Sequence, residues 1–154
     1  MQIEFATVED VEEITALRLD FIRELGFQVG PGELERGIPF NRIFMAEELG
    51  KSLFIVVARE GGVICSMGTL QPVRSFLGPG GKTGVSGKIT NVFTRPACRQ
   101  RGLAEQVMRK LLDTARELHF DSITLDASPI GKGLYEKLGF KEGPSPDVPM
   151  RLRL

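Results

Sequence analysis

Pro96 divides the most informative stretch of this chain into two incompatible periodicities. Before it, Ile89-Thr90-Asn91-Val92-Phe93-Thr94 is a short β-rich run, and it stops near Arg95 because proline cannot donate to a sheet ladder and biases its predecessor toward extended geometry. After it, Leu103, Val107, Leu111, Ala115 and Leu118 fall on one helical stripe. The chain must therefore run from a strand through a tight turn into a helix. In that turn, Arg99-Gln100-Arg101-Gly102-Leu103-Ala104, a glycine and an alanine keep bulk away from a helix N-terminus whose first amides lack helical partners. Free N–H groups and the positive end of the helix dipole favour a phosphate there, and Arg99 and Arg101 are expected to raise the potential further. An ordinary strand-to-helix turn would share so short a pattern. The sequence lacks the Gly-x-x-x-x-Gly-Lys-Ser/Thr and Gly-x-Gly-x-x-Gly patterns, which disfavours a triphosphate loop and a dinucleotide fold.

The flanking elements follow from local signals. Gln2 to Ala6 reads as a strand, and Thr7 caps a helix whose apolar residues Val11, Ile14, Leu17 or Arg18, Phe21 and Leu25 keep three- and four-residue spacing up to Gly26. Residues 32 to 49 read as two short helices, broken near Gly37-Ile38-Pro39. Ser52 to Glu60 and Val63 to Pro72 form an antiparallel hairpin around Gly61-Gly62, and the glycine-rich Phe76 to Gly87 reads as a surface loop. Lys88 to Thr94, the helix from Leu103 to Leu118 and Asp121 to Ala127 make a strand–helix–strand unit with parallel strands. A short helix from Ile130 to Leu138, a strand beginning at Phe140-Lys141, a turn-rich Gly143 to Pro149 and a last strand Met150 to Leu154 complete the reading.

A length of 154 residues with 42% apolar and 26% charged residues fits one domain with a sizeable core, residues 1–154. With 20 basic and 20 acidic residues the charge balances, so neither nucleic acid nor an acidic membrane is an expected partner. The N-terminus does not read as a signal peptide, and no apolar run reaches the roughly 18 residues of a membrane helix, so a cytoplasmic protein is expected. Two cysteines, Cys65 and Cys98, do not make a disulfide framework, and with one histidine, His119, no metal site is expected.

Asn91-Val92-Phe93-Thr94 with Pro96, followed by Arg99-x-x-Gly102-x-Ala104, resembles the acetyl-CoA motif of the GCN5-related N-acetyltransferase (GNAT) superfamily. A second block of that superfamily resembles Leu134-Tyr135-Glu136-Lys137-Leu138-Gly139-Phe140, in the expected order and distance. The resemblance implies a GNAT-like α/β fold: a mixed, mostly antiparallel central sheet with flanking helices and a splayed-strand acetyl-CoA cleft. It implies that Val92, Phe93 and Thr94 offer backbone groups to the pantetheine arm, and that Arg99, Gln100, Arg101, Gly102, Leu103 and Ala104 hold the pyrophosphate. Ser128, seven residues before Tyr135, stands where many members have a cofactor-contacting asparagine.

The reaction implied is acetyl transfer from acetyl-CoA to an amine by direct attack in a ternary complex. Tyr135, the only tyrosine, occupies the position of the superfamily's general acid, since a phenol with a pKa of about 10 can protonate a departing thiolate. A helix tyrosine packed on the core is the competing role. An amide near Phe93 is the implied carbonyl polariser. Histone-type members carry a glutamate on the strand before the phosphate turn; here Lys88 to Thr94 has no carboxylate, leaving the base open. Asn91 could orient the acceptor or a water, and Asp126 could accept a proton through water, although a sheet anchor and a surface carboxylate are equally simple roles. A covalent acetyl group on Cys98 is disfavoured, having no adjacent histidine. By position in the superfamily, Glu33, Glu35, Phe40 and Asn41 are candidate acceptor contacts. An acyl-CoA-binding sensor without turnover and a binder of another phosphate ligand remain as alternatives, and oligomeric state stays open, a homodimer being common in the superfamily.

Overall fold

The structure, a computed structural model, describes residues 1–143 and 148–154. Its sheet has the strand order β1-β2-β3-β4-β5: β1 Gln2–Phe5, β2 Phe54–Glu60, β3 Val63–Arg74, β4 Val85–Thr94 and β5 Ser122–Thr124. The first four strands pair antiparallel and β5 joins β4 in parallel, as the strand–helix–strand reading requires. The β2–β3 hairpin turns on Gly61 and Gly62, whose φ of 57° and 83° suit the primed turns that match strand twist.

Helices cover both faces of the sheet. On one side α1 (Val11–Glu24) and α2 (Glu33–Glu48) share a core with Ile55, Val57, Met67 and Phe93. On the other, α3 (Leu103–Glu117) packs Leu103, Val107, Leu111 and Ala115 against Val56, Ala58, Leu70 and Ile89, with α4 (Lys132–Lys137) at its end. Successive residues of β2 thus feed opposite cores, as period-two geometry demands. β4 departs from that rule. Ile89 and Phe93 have the same parity yet face opposite cores, because Met67↔Phe93 and Thr69↔Thr90 leave one extra residue on β4 opposite Gly68. This bulge at Asn91-Val92 inverts the facing of everything after it. Asn91 takes a φ of 54° to make it.

Several sequence expectations need correction. The segment 32 to 49 is one helix running through Pro39, not two. Tertiary contact overrides the missing proline N–H: a Cβ on Gly37 would lie 3.1 Å from Thr15 Cγ2, and Asn41 Nδ2 donates to Thr15 Oγ1 at 3.0 Å, so α2 lies flat on α1. Thr7 opens a 3-10 turn, Val8–Asp10, before α1, with its N–H donating to the Asp10 carboxylate at 2.9 Å. Residues 85–87 belong to β4 and not to the loop, since Gly87 is pressed between Leu70 and Ile123, where a Cβ would come within 2.6 Å of each. β5 and α4 are shorter than expected because the chain turns away after Thr124 and re-enters a helix only at Lys132. No strand begins at Phe140, and Met150 to Leu154 is not a strand. Its alternation is real, but Met150, Leu152 and Leu154 are exposed, and a strand without a partner or a buried face has nothing to hold it. The turn expected over Gly143 to Pro149 lies largely outside the described residues.

Candidate active site

β4 and β5 pair only from Ser86 to Lys88, while β4 continues to Thr94. Its remaining edge faces a cavity of about 650 Å³ instead of a neighbouring strand. Val92, Phe93 and Thr94 form one wall, the 95–104 turn forms the end, and Ser128, Gly131, Leu134 and Tyr135 form the opposite wall. Every residue assigned to the cofactor from sequence lines this cavity except Arg101. Phe21 and Glu24 of α1 and Leu25 just after it also line it, and sequence reasoning did not name them for this role. Phe21 and Leu25 stand four apart on the helical stripe, a signal fully explained by core packing, and Glu24 carried no signal of its own.

The cavity ends on α3. Gln100 and Gly102 both adopt positive φ, 59° and 71°, which turns the chain sharply onto the helix axis. The first backbone bond of α3 runs from Gln106 N–H to the Gly102 carbonyl at 3.2 Å, so the amides of Leu103 to Glu105 have no helical acceptor. The arginines do not add the free positive charge expected from sequence. Arg99 reaches Glu24 at 2.5 Å and the Thr94 carbonyl at 3.0 Å, while Arg101 turns away to hold Glu60 at 2.7 Å. That pairing keeps the Glu60 carboxyl below its usual range. Anion binding here rests on the amides and the helix dipole. Glu105 ties α3 to α4 through Lys137 at 2.6 Å and is held below the usual carboxylate range by Lys137 and Arg109.

Tyr135 is only 8% exposed, with its ring edge-on to Phe140 at 6.1 Å between centroids. Gly131 leaves it room: a Cβ there would lie 3.0 Å from the ring. Burial pushes the phenol above its ordinary pKa, so the hydroxyl stays a proton donor at neutral pH. Ser128 Oγ accepts from Gly131 N–H at 3.2 Å and shapes the turn into α4. Tyr135 and Ser128 also meet Asn91 and Val92 across a narrow gap of about 60 Å³ at the fork between the strands.

Asn91 lies on the far side of that fork. Its Nδ2 donates to Thr69 Oγ1 and Thr90 Oγ1, both at 3.2 Å, and its Oδ1 accepts from Arg18. It lines a second cavity of about 420 Å³, between α1, α2 and the sheet, together with Phe40 and Asn41. Of the acceptor contacts expected from sequence, Phe40 and Asn41 are therefore in place, whereas Glu33 and Glu35 are not part of its lining. Asp126 pairs at the surface with Lys88 at 3.5 Å. The two cavities reach neighbouring residues of the β4 bulge, Val92 in the first and Asn91 in the second, and the narrow gap touches both. The first is lined by the open strand edge and by the bare amides at the start of α3, and the second is the smaller.

The pattern that defines the acetyltransferase (GNAT) family matches residues 16–140. The chain belongs to this family. A probable glucosamine 6-phosphate N-acetyltransferase of rice (Oryza sativa subsp. japonica) is 35% identical over 98 residues, covering 61% of this chain and 57% of that protein. The chain thus matches little more than half the length of that curated relative. Among solved structures, a predicted acetyltransferase of Clostridium acetobutylicum with acetyl-CoA superposes with a TM-score of 0.82 at 23% identity, covering 97% of this chain and 95% of the other. The glucosamine-6-phosphate N-acetyltransferase of Arabidopsis thaliana superposes with a TM-score of 0.72 at 22% identity, covering 99% and 97%. These likenesses establish the GNAT fold, with its open central sheet.

Proposed function

We propose that this GNAT protein transfers the acetyl group of acetyl-CoA to a primary amine, by direct attack with both substrates bound. The observation that carries the reading is the open β4 edge, which runs from the bulge at Asn91-Val92 to the unpartnered amides of α3 with Tyr135 across from it. The cavity fits the cosubstrate's parts: backbone groups of Val92 to Thr94 for an amide-rich arm, and the amides of Leu103 to Glu105 for a pyrophosphate. A strand edge satisfies an amide chain as another strand would, which explains why so few particular side chains are required.

In this reading the backbone around Phe93 polarises the thioester carbonyl, and the buried phenol of Tyr135 delivers a proton to the departing sulfur. Asn91 orients the acceptor at the fork. Glu24, Glu105 and Asp126 each face a cation, so no carboxylate is assigned as a direct base, and the amine enters in its neutral form or loses its proton to water. Cys65 and Cys98 are unpaired, in keeping with a reducing, cytoplasmic setting.

Calorimetric titration with acetyl-CoA and desulfo-CoA, followed by free-thiol release over an amine library, tests the proposal. We expect binding that Gly102→Glu abolishes, because it adds a negative charge at the helix terminus and forces a side chain into positive φ. Tight binding without thiol release from any amine would replace transfer by sensing. No binding would overturn both.

A further inference from the structure

We infer that the second cavity selects an amphipathic acceptor, a primary amine that also bears a carboxylate or phosphate, and that Arg18 is the residue that reads the anion. The inference rests on the transfer reading for the amine and on the cavity itself for the anion.

The floor of the 420 Å³ cavity is apolar, built from Ile14, Met45, Leu53, Ile55 and Met67, with Phe40 and Phe44 at its rim. Among the described residues its charged lining is Arg18 alone, with no carboxylate. A cationic, carboxylate-free chamber disfavours a simple alkylammonium ion, which would find no counter-charge there. An acceptor carrying its own negative group reverses that balance. Arg18 is equipped to hold such a group, because its guanidinium has five N–H donors and is charged at any working pH. One donor engages Asn91 Oδ1, and among the described residues no carboxylate pairs with Arg18, whereas Arg42, Arg59, Arg95 and Arg99 each hold one. The remaining donors can meet an anion in a bidentate pair.

Position adds a second constraint. Arg18 lies one hydrogen bond from Asn91, which faces both this cavity and the narrow gap that Tyr135 lines. An anion held at Arg18 therefore stays within a few bonds of the reacting end, as an α- or β-amino acid or a short amino phosphate requires. The rest of the molecule lies over the apolar floor. A polyhydroxylated amino sugar could turn some hydroxyl groups to Asn41, Thr69, Gln71 and Thr90 but would set the others against methyl and ring carbons, so an apolar side chain is preferred to a sugar ring.

Matched pairs of acceptors decide the matter: L-leucine and L-phenylalanine against their amides, and glucosamine 6-phosphate against glucosamine, each measured by thiol release and by calorimetric binding to the protein–CoA complex. The amino acids are expected to have KM values about tenfold or more below their amides, and to be preferred to glucosamine 6-phosphate. Arg18→Gln should raise KM about tenfold more for the anionic members than for their amides, which share only the loss of the Asn91 contact, with the affinity for acetyl-CoA unchanged. Equal use of charged and neutral amines, or an Arg18→Gln loss that is the same for both, would overturn the inference while leaving transfer intact. A preference for glucosamine 6-phosphate that depends on Arg18 would keep the anion contact and overturn the apolar arm. Arg18-dependent binding of anionic amines without thiol release would overturn transfer and leave the cavity's selectivity standing.

Discussion

Tyr135 shows how burial converts an ordinary side chain into a poised one. Its ring fills the space between Gly131 and Phe140, and desolvation disfavours the phenolate, so the proton is retained above the ordinary value of 10.0. Tyr135→Phe is expected to lower kcat by about 100-fold or more with acetyl-CoA affinity preserved. The wild-type rate should fall on its alkaline side only above pH 10.0, and the variant should lack that limb; a variant with unaltered kcat would return Tyr135 to a packing role. Asn91 is a different case. Its residue type was legible as a candidate, but its place in a bulge, at positive φ and bonded to Arg18, depends on a register set by β3. Arg101 went the other way: part of the turn in sequence, it is claimed by Glu60 of β2, a partner that no local pattern reveals.

At the level of elements, the decisive feature is the short parallel pairing of β4 with β5. Gly87 permits it by letting Leu70 and Ile123 close over the strand, and after Lys88 the two strands part. Gly87→Val should cost about 1–3 kcal/mol by overpacking this junction, read as a lower urea midpoint with an unchanged m value. A midpoint equal to the parent's would mean that the fork is held open by other contacts. α2 teaches the complementary lesson. A glycine and a proline two residues apart predict a break, yet packing on α1 through Thr15 and Asn41 carries the helix across.

For the whole molecule, a single sheet separates two cores, and the loops are tied to it by few but specific groups. Asp121 is one: its carboxylate accepts from the backbone N–H groups of Lys82, Thr83 and Gly84 at 2.9 to 3.1 Å, clasping the loop between β3 and β4 to the segment before β5. Partial desolvation opposes ionisation, but the amides outweigh it and hold the carboxyl below its ordinary 3.8. A depressed pKa stabilises the clasp at neutral pH, and that contribution is lost as pH falls below 3.8 through the folded value. Hydrogen exchange at Lys82, Thr83 and Gly84 is therefore expected to accelerate in acid, and at neutral pH in Asp121→Ala, while α3 stays protected. Unchanged exchange in the variant would show that the glycine-rich loop holds its own shape.

What the amino-acid sequence determined by itself is the set of elements whose signals are local: the Gly61-Gly62 hairpin, the Pro96 stop, the stripe of α3 and the Gly102 turn. Proline chemistry, glycine conformation and helical period act within a few residues, so they can be read along the chain. Only the tertiary structure decided the bulge that turns Phe93 to the other core, the continuity of α2, the pairing of Arg99 and Arg101 with distant glutamates, and the absence of a strand at Met150 to Leu154. Each depends on which partner a segment meets across the fold. The energy of a bulge, a proline in a helix or an exposed apolar strand is set by those neighbours rather than by the segment's own residues.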